Sequence, residues 1–172
     1  MVGRTPPAEG RIEAERSIAL DGWKLNLSFS SAHCLPYMGK CERLHGHHYA
    51  VHAEILGPLG DEDIVMDFVE AKRVLKGLCD DLDHRVLVPT GRGKVVTEVG
   101  ERDVVMTVVD KRYVFPRVDC ALLELPTTTA ENLAAYLLDR FVKAAKLPRT
   151  VTSVRLGVDE GYGQGAWATW KR

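Results

Sequence analysis

Four of the six histidines in this 172-residue chain fall between positions 33 and 48. His45 and His47 are two apart. On an extended backbone residues i and i+2 project from one face, so both imidazoles can reach a single ion. Gly46 between them adds no bulk. His33 stands at the end of the preceding strand segment and completes the set when the two strands pair. Three neutral imidazoles suit zinc, and three protein ligands with an open fourth position are the arrangement of a catalytic zinc. Neutral donors also leave the ion its full charge as a Lewis acid. A lone His-x-His is as readily a pair of surface histidines; His33 and Cys41 nearby favour the metal. His48 should face the other way and His52 reads as structural, so neither joins the set.

Cys41 lies four residues before His45. It can close the site as a fourth, structural zinc ligand, or stand free beside the ion as base or nucleophile. Lys40, Glu42 and Arg43 around it argue against burial in an apolar core, and the free thiol is the favoured reading. Cys34, Cys79 and Cys120 sit among apolar neighbours and read as core residues. In Asp83-His84 a carboxylate can orient an imidazole and raise its basicity. Alone, the pair reads more readily as a helix-end feature, where the dipole favours a His cation. Glu160 ends a strand before GYGQG; such a carboxylate matters only beside a group that needs an anionic acceptor.

These residues need elements to hold them. Residues 18–29 read as strand material with an Asp21-Gly22 turn, and YAVHAEIL (49–56) as a second strand stopped by Gly57-Pro58. Asp67 with Glu70 makes a capping box, and Phe68, Ala71, Leu75, Leu78 and Leu82 form one apolar helix face. Asp83 and His84 then fall at the helix exit. VVTEV and VVMTVV around GERD predict a hairpin within 94–115. Thr128 with Glu131 is a second capping box, opening a helix that runs to about Lys146. VTSVRLGVD alternates as a strand, and AWATW is a last strand segment. Strands grouped in pairs between two helices predict an α+β fold: a small antiparallel sheet with two helices on one face.

Composition sets the class. The chain carries 23 basic and 24 acidic residues, a formal charge of −1, with no dense basic block, so no nucleic-acid partner is expected. No run approaches the ~18 apolar residues of a membrane span. The N-terminus lacks an apolar signal core, which points to the cytoplasm. No CxxC pair or secretory signal suggests a disulfide framework. Residues 1–16 read as a flexible leader and 17–172 as one domain.

Four ordered segments together resemble the 6-pyruvoyl-tetrahydropterin synthase family, and in particular its 6-carboxytetrahydropterin synthase branch. They are FSSAHCLP followed by CERLHGHHY, then VMDFVEAKRVLKGLCDDLDHRVL, PTTTAENLA and VDEGYGQGAW. The resemblance implies that His33, His45 and His47 bind zinc and that Cys41 is the catalytic thiol. Asp83 with His84 would be the second acid–base group. Glu160 would anchor the pterin by its guanidine-like edge, and Thr129 would contact it. The family's tunnelling fold implies subunits joined edge to edge into a barrel, usually a homohexamer, with active sites between subunits.

The implied substrate is 7,8-dihydroneopterin triphosphate. The three-residue spacer between Cys41 and His45 resembles the branch that makes 6-carboxy-5,6,7,8-tetrahydropterin, an early step toward the 7-deazaguanine nucleosides queuosine and archaeosine. Two sister activities on the same substrate are alternatives: pyruvoyl formation, and side-chain release, for which Glu42 is out of register. A non-catalytic, zinc-stabilised assembly protein with Cys41 as fourth ligand is a third. Gly161 and Ala130 depart from the family pattern, and the segment 90–113 is longer than in many relatives.

Overall fold

The computed structural model describes residues 16–172; the expected leader lies outside them except for Arg16, which opens the first strand. That strand, β1 (Arg16–Leu20), and β2 (Ser28–His33) pair in succession with one edge of the long β3 (His45–Gly57). The strand material expected over 18–29 is interrupted where the Asp21-Gly22 turn was read, but by a single helical turn, α1 (Gly22–Leu25), so that Trp23 and Leu25 are helical and not strand. Local capping drives the break. The Asp21 carboxylate accepts from the N–H groups of Trp23 and Lys24, and Asn26 closes the turn at φ 54°. A Cβ at Gly22 would lie 2.4 Å from the Val51 carbonyl oxygen, so only glycine lets the turn hug β3.

The other edge of β3 pairs antiparallel with β9 (Ser153–Glu160), and β9 with β10 (Gly165–Lys171). Beyond β2 the sheet continues through β4 (Arg85–Pro89) and β8 (Cys120–Leu123), both joined in parallel. The sheet is therefore mixed, where an antiparallel one was expected. β4 and β8 show why the pattern misled: RVLVP and CALL do not alternate, because they are covered on both faces. Leu87, Ala121 and Leu123 join the main core, and Val88 and Cys120 join a second cluster behind the sheet.

The main core lies under α2 (Phe68–Asp80) and α3 (Ala130–Ala144). Ala71, Val74, Leu75 and Leu78 of α2 and Leu133, Leu137 and Phe141 of α3 meet Phe29, Tyr49, Val51, Ile55 and Leu156 of the sheet. These α+β layers, with the long helices on one face, match the expected plan. Asp67 caps α2 as expected, but Glu70 pairs with Arg73 instead of reaching back. For α3 the cap is Thr129, one residue later than expected; its hydroxyl accepts from Asn132 N–H at 3.4 Å.

The segment 94–116 forms more than a hairpin. β5 (Val95–Val99), β6 (Asp103–Val108) and β7 (Lys111–Pro116) make a separate three-stranded antiparallel sheet. Its inner face, through Val95, Val104, Met106 and Val108, packs with Cys34, Val88 and Cys120 in the second cluster.

Candidate metal centre and adjoining cavity

Register brings the three histidines together. His33 of β2 stands directly opposite His45 of β3, and His47 stands opposite Ser31, two residues back along β2. All three share the sheet face that, further along, buries Phe29 and Tyr49 under the helices. One ligand atom from each of His33, His45 and His47 lies within 4.8 Å of the others. A Cβ at Gly46 would stand 3.1 Å from the Ser31 carbonyl oxygen, so the residue between the two histidines has little room. Cys41 is outside this group, so a closed site of three histidines and one cysteine is not formed.

The outer shell fixes the rings. His33 Nδ1 lies 3.0 Å from the Thr128 carbonyl, and His45 Nδ1 lies 2.7 Å from the Arg43 carbonyl. A carbonyl only accepts, so each Nδ1 carries the proton and each Nε2 presents a lone pair. Burial pushes His33 down to about 4, with the neighbouring His45 and His47 adding to it. Burial also lowers His47. Imidazoles whose Nδ1 is held by a carbonyl and whose Nε2 turns toward a shared point are the donor set a divalent metal requires.

Glu160 stands opposite Tyr49 in the β9–β3 register, and so on the histidines' face of the sheet. Its Oε1 is buried with no hydrogen-bond partner, and burial raises its carboxyl above the usual range. A buried acceptor without a partner is costly, and such orphans are rare. With Thr129, Glu131, Gln164, Leu35 and Met38 it lines a cavity of about 260 Å³.

Asp83 and His84 occupy the exit of α2, as the sequence places them. Asp83 Oδ1 accepts from Ser30 N–H at 2.7 Å, and its Oδ2 lies 2.8 Å from His84 Nδ1. The Ser30 N–H, together with His84, holds the Asp83 carboxyl below its usual range. His84 sits at φ 56°, a backbone conformation that residues with a Cβ adopt rarely, pinned by its N–H to the Ser30 carbonyl at 2.8 Å. It lines a second cavity, about 560 Å³, together with His47, His48 and Ser31. Cys41 is partly exposed in a short 3-10 turn, Gly39–Glu42, and borders neither cavity. Cys34, Cys79 and Cys120 are buried.

His48 turns away from the triad and meets Ser30 Oγ at 2.9 Å. His52 is structural: it accepts from Gly22 N–H and donates to Asp159. Two residues the sequence reading left out support the triad. Thr128, fully buried, holds His33 through its carbonyl and approaches the same nitrogen with its hydroxyl at 3.3 Å. Tyr49 places its hydroxyl 3.4 Å from His33 Nδ1. The TTT run could have signalled a backbone anchor, but nothing in it tells which threonine turns inward.

The chain belongs to the 6-pyruvoyl tetrahydropterin synthase family, whose sequence profile matches residues 24–171. A Methanocaldococcus jannaschii protein provisionally named a 6-carboxy-5,6,7,8-tetrahydropterin synthase is 34% identical over 152 residues, covering 87% of this chain and 93% of that protein. Several further relatives carry the same name, among them one from Haemophilus influenzae, 29% identical over 75% of this chain and 86% of its own length. The 6-pyruvoyl tetrahydropterin synthase of Plasmodium vivax shares the fold, with a TM-score of 0.84 at 24% identity over 93% of this chain and 100% of its own. Among the described residues no helix is long and apolar enough to cross a membrane.

Proposed function

We propose that this protein is a cytoplasmic, zinc-dependent carbon–carbon lyase that converts 7,8-dihydroneopterin triphosphate to 6-carboxy-5,6,7,8-tetrahydropterin, feeding 7-deazaguanine nucleoside synthesis. The observation that carries the reading is the unpartnered Glu160 Oε1, buried in a cavity on the same sheet face as the three imidazoles. A pterin's guanidine-like edge offers paired N–H donors, which is the chemistry this orphan acceptor lacks.

His33, His45 and His47 would hold the zinc, which when bound supplies a Lewis acid that acidifies C–H bonds beside the substrate's side-chain hydroxyls. Glu160 accepts from the pterin edge and fixes its orientation, and Thr129 lines the same cavity from the start of α3. Cys41 takes or relays a proton through its sulfur. His84, held by the ionised Asp83, delivers or removes one on the side of the larger cavity. Glu160 and His84 line different cavities of one chain, which supports active sites completed between subunits. β10 and β8 end the main sheet and offer the edges through which a hexamer would close.

The side-chain-releasing alternative needs a free glutamate near the thiol position. Glu42 is instead paired with Lys111 at 3.1 Å, which favours the cysteine-dependent branch. The test is mass spectrometry of products after the zinc-loaded protein meets 7,8-dihydroneopterin triphosphate. Carboxytetrahydropterin with acetaldehyde is expected. A pyruvoyl or hydroxymethyl pterin overturns the branch, and absence of turnover with zinc bound overturns the enzymatic reading.

A further inference from the structure

The loop that carries Cys41 has little regular structure of its own. It runs from the end of β2 to the start of β3 and is closed internally by Leu35 N–H to the Cys41 carbonyl at 2.8 Å. Its 3-10 turn has no side-chain cap, and Tyr37, two residues before that turn, sits at φ 61°. Such a loop places a thiol poorly unless something outside holds it.

The three-stranded sheet touches this loop at three points. At its root, Cys34 is buried in the core of that sheet with Val104, Met106 and Val108. At its middle, Lys94 Nζ, just before β5, stands 5.1 Å from the centre of the Tyr37 ring, within cation–π range. At its end, Lys111 Nζ donates to Glu42 Oε2 at 3.1 Å, on the residue next to Cys41. Lys111 also meets Asp110 at 2.9 Å, and the two carboxylates raise its ammonium further above the ordinary lysine range. The turn presenting it is strained: Val109, a β-branched residue, sits at φ 57° between β6 and β7.

We infer that the three-stranded sheet is the mount of the thiol loop, with Lys111 as a positioning residue that fixes Cys41 through Glu42. The inference rests on the catalytic reading of Cys41. A partly buried single ion pair near the surface adds little to global stability, so its effect should appear in placement of the thiol. Misplacement of a reacting group by about 1 Å costs up to roughly 100-fold in rate.

The experiment compares Lys111→Met, Glu42→Gln, Lys111→Arg, the exchanged pair Glu42→Lys with Lys111→Glu, and Cys41→Ala, all as the zinc-loaded full chain. Turnover of 7,8-dihydroneopterin triphosphate is resolved into kcat and KM, and amide hydrogen exchange is followed over residues 36–44. Lys111→Met and Glu42→Gln should each lower kcat by about 10-fold or more. KM should stay within about twofold and zinc content should not change, while exchange across 36–44 accelerates. Lys111→Arg and the exchanged pair should recover most of kcat. Wild-type kcat in both single variants, with Cys41→Ala inactive, overturns the positioning role and leaves the thiol's role standing. Full turnover in Cys41→Ala overturns the catalytic reading beneath it. Loss of kcat that neither Lys111→Arg nor the exchanged pair restores also overturns the ion-pair mechanism.

Discussion

His33 Nε2 and His45 Nε2 face each other at 3.1 Å across β2 and β3, while each ring's other nitrogen is tied to a backbone carbonyl. Two lone pairs at that distance repel, since neither nitrogen has a proton to offer. A cation held by both, with His47 beside them, turns the conflict into attraction. The three-histidine cluster thus carries a cost that a bound metal would relieve.

Metal-depleted protein should therefore take up one zinc per chain with a rise in thermal midpoint. His45→Ala should weaken zinc by about 100-fold or more, because it removes a ligand already oriented by Arg43. Competition with a chromophoric chelator measures this; equal affinity in the variant would sink the assignment.

Acid should destabilise the metal-free protein. The folded chain holds His33 near 4 by burial, below its ordinary 6.5, so between those values the unfolded chain binds more protons. Stability should be full above about 6.5 and decline as pH falls toward about 4, by about 3 kcal/mol from this residue. Denaturant titrations of the zinc-free wild type and of His33→Gln across this range test it. A parallel pH dependence in both would disprove the contribution.

Glu160→Gln should move binding and stability in opposite directions. Loss of the acceptor should raise KM for the pterin by about 10-fold or more, because an amide sets its own N–H groups against the ligand's. Removing an unpartnered buried carboxylate should add about 1 kcal/mol at neutral pH. Glu160 has a raised carboxyl, so its penalty is present above the folded value and vanishes in acid. The variant's advantage should shrink as pH falls from the raised folded value and be gone below about 4.5, the ordinary carboxyl value. Melting curves at two pH values and a pterin titration check both halves.

Asp83→Asn should keep the bond to Ser30 N–H and lose the anion that orients His84. Turnover should drop about 100-fold with KM little changed. A KM effect alone would recast the pair as a binding element.

The site was far more legible in the sequence than the sheet. His33, His45, His47, Asp83, His84 and Glu160 all occupy strand ends or helix exits, because backbone periodicity fixes which face a residue takes and capping residues mark where helices stop. What stayed hidden depends on contacts between distant segments. Thr128 becomes a support for His33 only when the segment leading into α3 reaches the end of β2, 95 residues away in the chain. β4 and β8 lost their alternation because the three-stranded sheet covers their second face. The α1 turn looked like strand because Leu25 and Leu27 alternate, while Asp21 and Asn26 encode a one-turn helix whose caps outweigh that pattern.

The central strand has a further consequence, for the order in which the chain can be built. β3 is complete on one edge early, through β1 and β2, but its other edge waits for β9; the Glu54–Arg155 pair between them spans 101 residues. During synthesis the strand that carries His45 and His47 therefore has an open row of backbone groups until nearly all of the chain has emerged. Such distant pairing makes folding slow and invites mispairing between nascent chains. Zinc supply during synthesis should accordingly raise the soluble yield more than zinc added afterwards.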